Sequence, residues 1–517
     1  MKKFVKENYV YAIFCIVLII INMFYMNNIF PENDKLSNMS TIVIAQIIVF
    51  ILELVFCVII RILSKKKFKL ENIFLILAIP LGILYLVGIP MGSNPDEYNH
   101  FSRVYEISRG QLITELNDNN DAGALAPIEI VENSLKTAET KYSDIIESIK
   151  TPNSGEKVFH GFYNTALYSF VSYLPIIIGV FIGRILNSPI VLTGYLGRIC
   201  NLISWIVIMY FAIKKLPYFK EFLMFIALIP ITIAEATAIT ADGFTFAMSC
   251  LFISYIFSLM YKKEEKISLK DNIILLSLTI IISLCKIVYL PLCLLLLLIP
   301  NEKYDSKKKK YITNIGIILI SVIINLIWLK IASRFLVKLN PGVNSHDQLI
   351  YILSNPFRYL QILFNSLSSE CEAYIFSMFG RSVAGTGATS TIYLFACICI
   401  FVNLILKTKE NKSSYFEKLL VILIMIAITG LMFTSLYMQW TPVGNSKVDG
   451  VQGRYFLPYI SLLPFAFFAI KPNKKEEVNE ESNSMIIRKE KINIDYITVF
   501  MVLYNIYMYI EIFSKFI

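Results

Sequence analysis

The sequence predicts an all-α integral membrane protein, a polytopic bundle of about 12 to 14 helices, and three observations predict it. Of the 517 residues, 56% are hydrophobic and mean hydropathy is +0.63, more apolar surface than water-facing domains can bury. The apolar residues gather in runs of about 20, the length that crosses a bilayer. The formal charge of +10 sits mostly in short Lys/Arg clusters beside those runs, where it orients a membrane protein rather than reading nucleic acid. Nine Cys, scattered without CxxC pairs, argue against a zinc site and a disulfide framework. No GxGxxG or Walker loop is present to cradle a nucleotide.

Residues 1–91 hold N-terminal membrane helices, with apolar runs at 9–30, 41–62 and 72–91. The first follows Lys2, Lys3 and Lys6. It is too long for a typical signal peptide and lacks a small-residue cleavage site, so it reads as a retained helix. Lys65, Lys66, Lys67 and Lys69 place the end of the second run in the cytoplasm. Residues 92–160 therefore form an external loop. The core, 161–470, begins with two runs, 164–187 and 190–213, the second ending at Lys214, Lys215 and Lys220. If those lysines lie inside, the first run is re-entrant or lies along the outer interface. Residues 221–240 travel back out, carrying Glu235 and Asp242 toward the external face, and 243–261 return to Lys262, Lys263 and Lys266.

The run 272–300 has lysines at both ends, Lys270 and Lys307 to Lys310, so a single straight span cannot satisfy it. Lys286, Tyr289 and Pro291 mark a break into two short helices, which a membrane tolerates only where the freed backbone faces protein or water. Residues 311–331 go outward. A second external region, 333–388, contains His346, Glu370, Glu372 and Arg381. Runs 389–406 and 417–436 lead to a third, 437–454, with Trp440, Asp449, Gln452, Arg454 and Tyr455. Residues 456–470 re-enter, 471–493 form a charged cytoplasmic linker, and 494–517 hold a last helix.

The chemistry gathers at the start of the external loop, Asn94-Pro95-Asp96-Glu97-Tyr98-Asn99-His100-Phe101-Ser102-Arg103. Asn94 reads as a helix cap and Pro95 as the first helical position, putting Asp96 and Glu97 in the first turn. Asp96, His100 and Arg103 then share one face. The bland reading is that the acids only cap a helix. The topology, however, brings Asp96, His100, Arg103, His160, Asp242, Lys286 and Arg454 to one side. An ionisable residue inside an apolar segment costs about 2.5–3.5 kcal/mol, so Asp242 and Lys286 need a reason to be there. Either they pair and hold helices together, or they belong to a site. A carboxylate base with several cations at the water–lipid boundary suits transfer from a lipid-phosphate donor to a polar acceptor. Lys and Arg both bind phosphate well. His100 with Asp96 or Glu97 is a candidate divalent-metal set, although no HxxxH spacing supports it. His100 and His160 otherwise read as hydrogen-bonding groups around the site, and His346 as a solvated loop residue.

These residues resemble an uncharacterised bacterial family of polytopic membrane proteins grouped with the GT-C superfamily of membrane glycosyltransferases. The matching features are Asn94-Pro95-Asp96-Glu97 with His100 and Arg103, Arg198 with Asn201, Ala241-Asp242, Lys286 with Tyr289 and Pro291, and Gln452-Gly453-Arg454-Tyr455-Phe456-Leu457-Pro458. They span most of residues 75–470. The resemblance implies a GT-C-like fold with a long first catalytic loop, in the bacterial plasma membrane. It implies Asp96 as base, with Glu97 assisting or binding a metal. His100, Arg103, His160, Asp242, Lys286, Tyr289, Gln452, Arg454 and Tyr455 would bind substrate, with Lys286 and Arg454 on phosphate. The implied partners are membrane lipid, a polyprenyl-phosphate-linked sugar and a glycan or lipid acceptor, with no nucleic acid. Two helices precede the one leading to the acidic motif, and no large C-terminal external domain is present, both unlike the wider superfamily. The rivals are a transporter or flippase of lipid-linked glycans and a non-catalytic assembly partner. A single clear break and an asymmetric acidic loop favour the enzyme over a transporter, which commonly has broken helices in both halves.

Overall fold

The computed structural model describes residues 39–65, 68–135, 140–261, 266–335, 342–381, 383–385, 391–406, 415–467 and 480–516, together with 16, 19, 20 and 23. Most of the expected first helix at 9–30 and residues 471–479 of the expected linker lie outside them, and the rest of that linker, 480–493, is helical and continuous with the last helix. Six helices among the described residues are long and apolar enough to cross a membrane: Leu70–Gly88, Ile190–Lys215, Asp242–Tyr261, Lys307–Phe335, Tyr415–Gln439 and Ile497–Phe516. Phe170–Ile185, Ile287–Leu298 and Leu394–Ile405 are apolar but shorter. Two of the apolar runs are broken, at Lys286 and before Pro230, and one, Phe170–Ile185, is short.

Helix α1 (Met39–Lys65) precedes α2 (Leu70–Gly88), which ends at the corner of the acidic motif. The loop expected to be external folds into α3 (Glu97–Ser108), a small antiparallel sheet and two short helices, α4 (Ile128–Leu135) and α5 (Tyr142–Lys150). The sheet order is β1 (Glu115–Leu116), β2 (Ala122–Pro127), β3 (Lys157–Gly161), with Ala124 opposite His160. Gly123 is required here, since a Cβ would meet the His160 carbonyl oxygen at 2.3 Å.

The run read as re-entrant or interfacial forms a 3-10 turn, Phe170–Tyr173, and α6 (Leu174–Ile185), only about 18 Å long. It packs between α3 and α7 (Ile190–Lys215). His100 of α3 meets Tyr173, and Arg184 at the end of α6 bonds the Ser108 carbonyl. Both ends of α6 therefore lie against the external loop. The approach to α7 is close because Gly179 and Gly183 carry no side chain; a Cβ on Gly179 would sit 2.1 Å from the Leu196 oxygen.

The next run is not one helix. It breaks between α8 (Lys220–Leu228) and α9 (Pro230–Ala236), since Pro230 lacks an N–H and disfavours helix in the residue before it. The carbonyls freed there are bonded by side chains. Thr232 Oγ1 donates among those of Ile226, Ala227 and Ile229, and Asn505 Nδ2 donates to Leu228 at 2.9 Å. Asn505 lies on α18 (Glu480–Phe516). Helix α10 (Asp242–Tyr261) follows and runs through the middle of the bundle, with most of its residues buried.

Helix α11 (Leu269–Cys285) ends where expected, at Lys286, whose backbone is extended at φ −152° and ψ 121°. The chain returns as a 12-residue 3-10 helix, Ile287–Leu298. Such long 3-10 runs are uncommon, and length explains this one. Seventeen α-helical residues rise about 26 Å, and 12 residues match that only at the 3-10 rise of about 2 Å. The hairpin closes at its base through Ile267 N to Lys303 O, 2.9 Å, and Lys266 to Asp305, 2.7 Å. Helix α12 (Lys307–Ala332) clamps both legs with a polar ladder: Asn314 to the Leu296 carbonyl, Ser321 to Thr279, and Asn325 to the Ser283 carbonyl. Buried polar contacts of this kind join membrane helices. Three helices, α13 (Ser345–Ser354), α14 (Pro356–Ser369) and α15 (Cys371–Phe379), fill the second external region. They precede α16 (Thr391–Leu406) and α17 (Tyr415–Gln439).

Candidate functional site

The acidic motif divides its two carboxylates. Helix α3 begins at Glu97, two residues later than the cap at Asn94 predicts. Asp96 is the residue before the helix, in the left-handed region at φ 59°, ψ 10°, and its side chain makes no capping bond. For an L-residue that conformation costs about 1–2 kcal/mol, less for Asp than for most. Asp96 is exposed, and Glu97 is 1% exposed. Glu97 Oε1 accepts from Arg198 Nε at 2.7 Å and Ile239 N at 2.9 Å; Oε2 accepts from Arg198 Nη2 at 2.6 Å and Gly92 N at 2.9 Å. Arg198 also donates to the carbonyls of Ile89 and Pro90. This pair fastens the end of α2, the start of α3, α7 and the loop before α10 at one point. Glu97 is therefore a scaffold residue rather than an assisting catalytic group. A divalent metal held by Asp96 and Glu97 together does not fit, since both Glu97 oxygens are taken.

A second charged group lies beside it. Lys286, at the tip of the broken hairpin, pairs with Asp242 Oδ1. Arg454 Nε lies 3.1 Å from Asp242 Oδ2, and its Nη1 donates to Glu235 Oε1 at 2.8 Å. Glu235 Oε2 accepts from Thr240 Oγ1 at 2.9 Å. Two carboxylates and two cations thus form an internally neutral chain drawn from α9, α10, the hairpin and the third external stretch. The Asp242 and Lys286 side chains are 18% and 12% exposed, so the pair is reachable. The Lys286 ammonium lies 4.6 Å from the centre of the Tyr455 ring and 5.6 Å from that of Tyr168. Tyr289 donates to the Tyr455 carbonyl at 2.9 Å, fixing that strand of chain against the hairpin. The same segment sits close against α15, which Gly453 makes feasible, because a Cβ there would meet the Tyr374 oxygen at 2.2 Å.

A cavity of about 410 Å³ opens from Lys286. Its walls are mostly apolar, from the hairpin tip, the outer turns of α12 and α17, and Tyr168, with Trp328, Leu329, Met432 and Leu436 among them. Lys286, Tyr289 and Tyr455 stand where it meets the charged chain. A cleft with apolar walls and one cation suits a ligand with an apolar body and an anionic head.

The remaining expected residues separate into two groups. His100 joins the site: its Nδ1 lies 2.6 Å from the Tyr173 hydroxyl, and its ring packs on Tyr168. Burial pushes the His100 imidazole down to about 3, with Asp242 opposing and Lys286 and Arg454 reinforcing the shift. It is a neutral hydrogen-bonding group. Arg103 does not join. It is fully buried, pairs with Glu106 and donates to the Leu112 carbonyl at 2.7 Å, so it shapes the loop after α3 instead of binding substrate. Burial raises the Glu106 carboxyl, with Arg103 acting against it. His160 bonds Ser102 at 2.6 Å and ties β3 to α3, and burial lowers its imidazole. Gln452 is half-buried at the start of the segment carrying Arg454, its carbonyl accepting from Tyr455 N at 3.1 Å. His346 is exposed at the start of α13. Sequence reasoning placed Glu235 at the external face but not in the site, and it passed over Tyr168 and Tyr173. Glu235, an acid seven residues before Asp242 in an apolar run, carried a usable signal; the tyrosines, among 30, did not. Among the described residues no group of three or more His, Cys, Asp or Glu is arranged to hold a metal.

The fold and this site define a helical multi-pass membrane protein with a reachable charged cluster at one end of its bundle. Residues 79–463 match the family described as predicted membrane protein (DUF2142), and the chain belongs to that family. No curated protein and no solved structure matches it.

Proposed function

We propose that the protein is a GT-C-type glycosyltransferase that moves a sugar from a polyprenyl-phosphate carrier to an envelope glycan, polymer or lipid, on the external face of a bacterial plasma membrane. The observation that carries the reading is the apolar cavity ending on Lys286 beside Arg454. The lipid chain occupies the apolar walls, and its phosphate meets Lys286. Asp96 stands one helical turn before His100, whose neighbour Tyr168 touches Lys286. Exposed, and without an ion-pair partner among the described residues, Asp96 takes the proton of the acceptor hydroxyl as its oxygen attacks the anomeric carbon. The bond from that carbon to the phosphate oxygen breaks, the phosphate leaves with the electron pair, and the configuration inverts. Lys286 and Arg454 stabilise the departing charge. No step requires a metal.

One observation favours the rival transporter. The second break, between Leu228 and Pro230, removes one of the two asymmetries that spoke against transport, the single break, and leaves the acidic loop without a counterpart. The envelope-glycan sugars of cells lacking the protein, complemented with wild type or Asp96→Asn at equal membrane levels, separate the two. A transferase loses one sugar that only wild type restores, the variant's rate falling by about 10²–10⁴. Restoration by both versions removes Asp96 as base and gives the lead to transport or assembly.

A further inference from the structure

Helix α14 divides its surface into three sectors at 100° per residue. Tyr359, Ile362 and Ser366 face the protein; Ile362 and Ser366 are fully buried. Phe357, Leu360, Phe364 and Leu367 form the next sector, exposed by 86%, 60%, 70% and 37%. Arg358, Gln361, Asn365 and Ser368 form the third, with Arg358 bonded to Gln361 at 2.7 Å at the surface. A helix in water has no reason to present four large apolar side chains beside a separate polar strip. A helix at a lipid–water boundary, resting on protein, has all three surroundings.

The depth agrees. The Tyr359 hydroxyl lies 2.7 Å from Thr434 Oγ1, on α17. Thr434 lies five residues before the end of α17 at Gln439, about 8 Å along the axis. Interfacial helices sink their apolar face by about 5–10 Å. Helix α17 is itself a candidate span, with Leu419, Leu423, Ile426 and Leu431 exposed along it, and Trp440 follows its end, where interfacial aromatics sit. We infer that α14 lies in the outer leaflet at the headgroup boundary, with Phe357, Leu360, Phe364 and Leu367 in lipid and its Arg358 strip in water. Ile362 packs in one cluster with Met432, a cavity wall residue, so the same helix fixes the depth of the cavity mouth.

The test uses the full-length protein in phosphatidylcholine nanodiscs, with exposed Cys371 and Cys399 changed to Ser. A fluorophore is attached to Phe364→Cys, Leu360→Cys or Gln361→Cys, and the label on the unmutated background is subtracted. Quenching by a nitroxide on the lipid near the headgroup is expected to be several-fold stronger at 364 and 360 than at 361, with iodide in the water giving the reverse order. Equal iodide quenching at all three sites overturns the inference. Shielding of 364 and 360 from both quenchers also overturns it, because protein, including a second copy of the chain, then covers that face.

Discussion

The Glu97–Arg198 pair and the Asp242–Lys286 pair lie at the same end of the bundle, yet they have opposite characters. Both side chains of the first are 0% exposed, and four donors saturate the carboxylate. The second is 18% and 12% exposed, closes a neutral chain with Arg454 and Glu235, and borders a cavity. A sealed pair with every acceptor filled has no capacity for a ligand and acts as a fastening. A pair open on one side can exchange a partner for an incoming anion. Adjacent acids in a motif therefore need not share a task, and here the backbone strain at Asp96 accompanies the burial of its neighbour.

The contrast breaks most visibly at Arg198. Arg198→Met leaves the Glu97 carboxylate buried without its cation, a loss of about 3–5 kcal/mol, expected as a sharp drop in monodisperse protein in detergent and a lower melting temperature. Normal yield and melting would show that the pair is no fastening. Lys286→Met should melt near wild type yet bind a lipid phosphate about 10–100-fold more weakly, the worth of one charged hydrogen bond. A collapse equal to that of Arg198→Met would erase the distinction. His100, neutral in the folded chain and titrating near 6.5 when unfolded, makes stability rise with pH between about 3 and about 6.5, by at most about 1.4 kcal/mol per pH unit. The unfolded chain binds the extra proton in that window, and His100→Gln should flatten the slope of melting temperature against pH. Thr232→Val, at the second break, should cost about 1 kcal/mol in the same melting assay and leave lipid-phosphate binding unchanged.

Much of this was legible in the sequence. Lysines at both ends of one apolar run forced a break, and Lys286 stands at it because no straight helix can start and finish on the same side. Convergence of Asp242, Lys286 and Arg454 followed from the same charge counting. The division of labour between Asp96 and Glu97 was not legible. It depends on Arg198, 101 residues away, and spacing along a chain says nothing about such a contact. Pro230 did mark the break between α8 and α9, but a continuous apolar run hid it. Arg103 shared a helical face with His100 as expected; Glu106, one turn further on, took its charge. Helices α13 to α15 went unseen because their apolar stripes are short and interrupted by Asn, Ser and Pro.

The open character of the Lys286 cluster is tested most directly by comparing a polyprenyl phosphate with the matching uncharged polyprenol on the purified protein in nanodiscs, wild type against Lys286→Met. Wild type should bind the phosphate more tightly, and Lys286→Met, which keeps Arg454, should lose most of that preference. Equal binding of both lipids by wild type, or a phosphate preference undiminished in Lys286→Met, would contradict it.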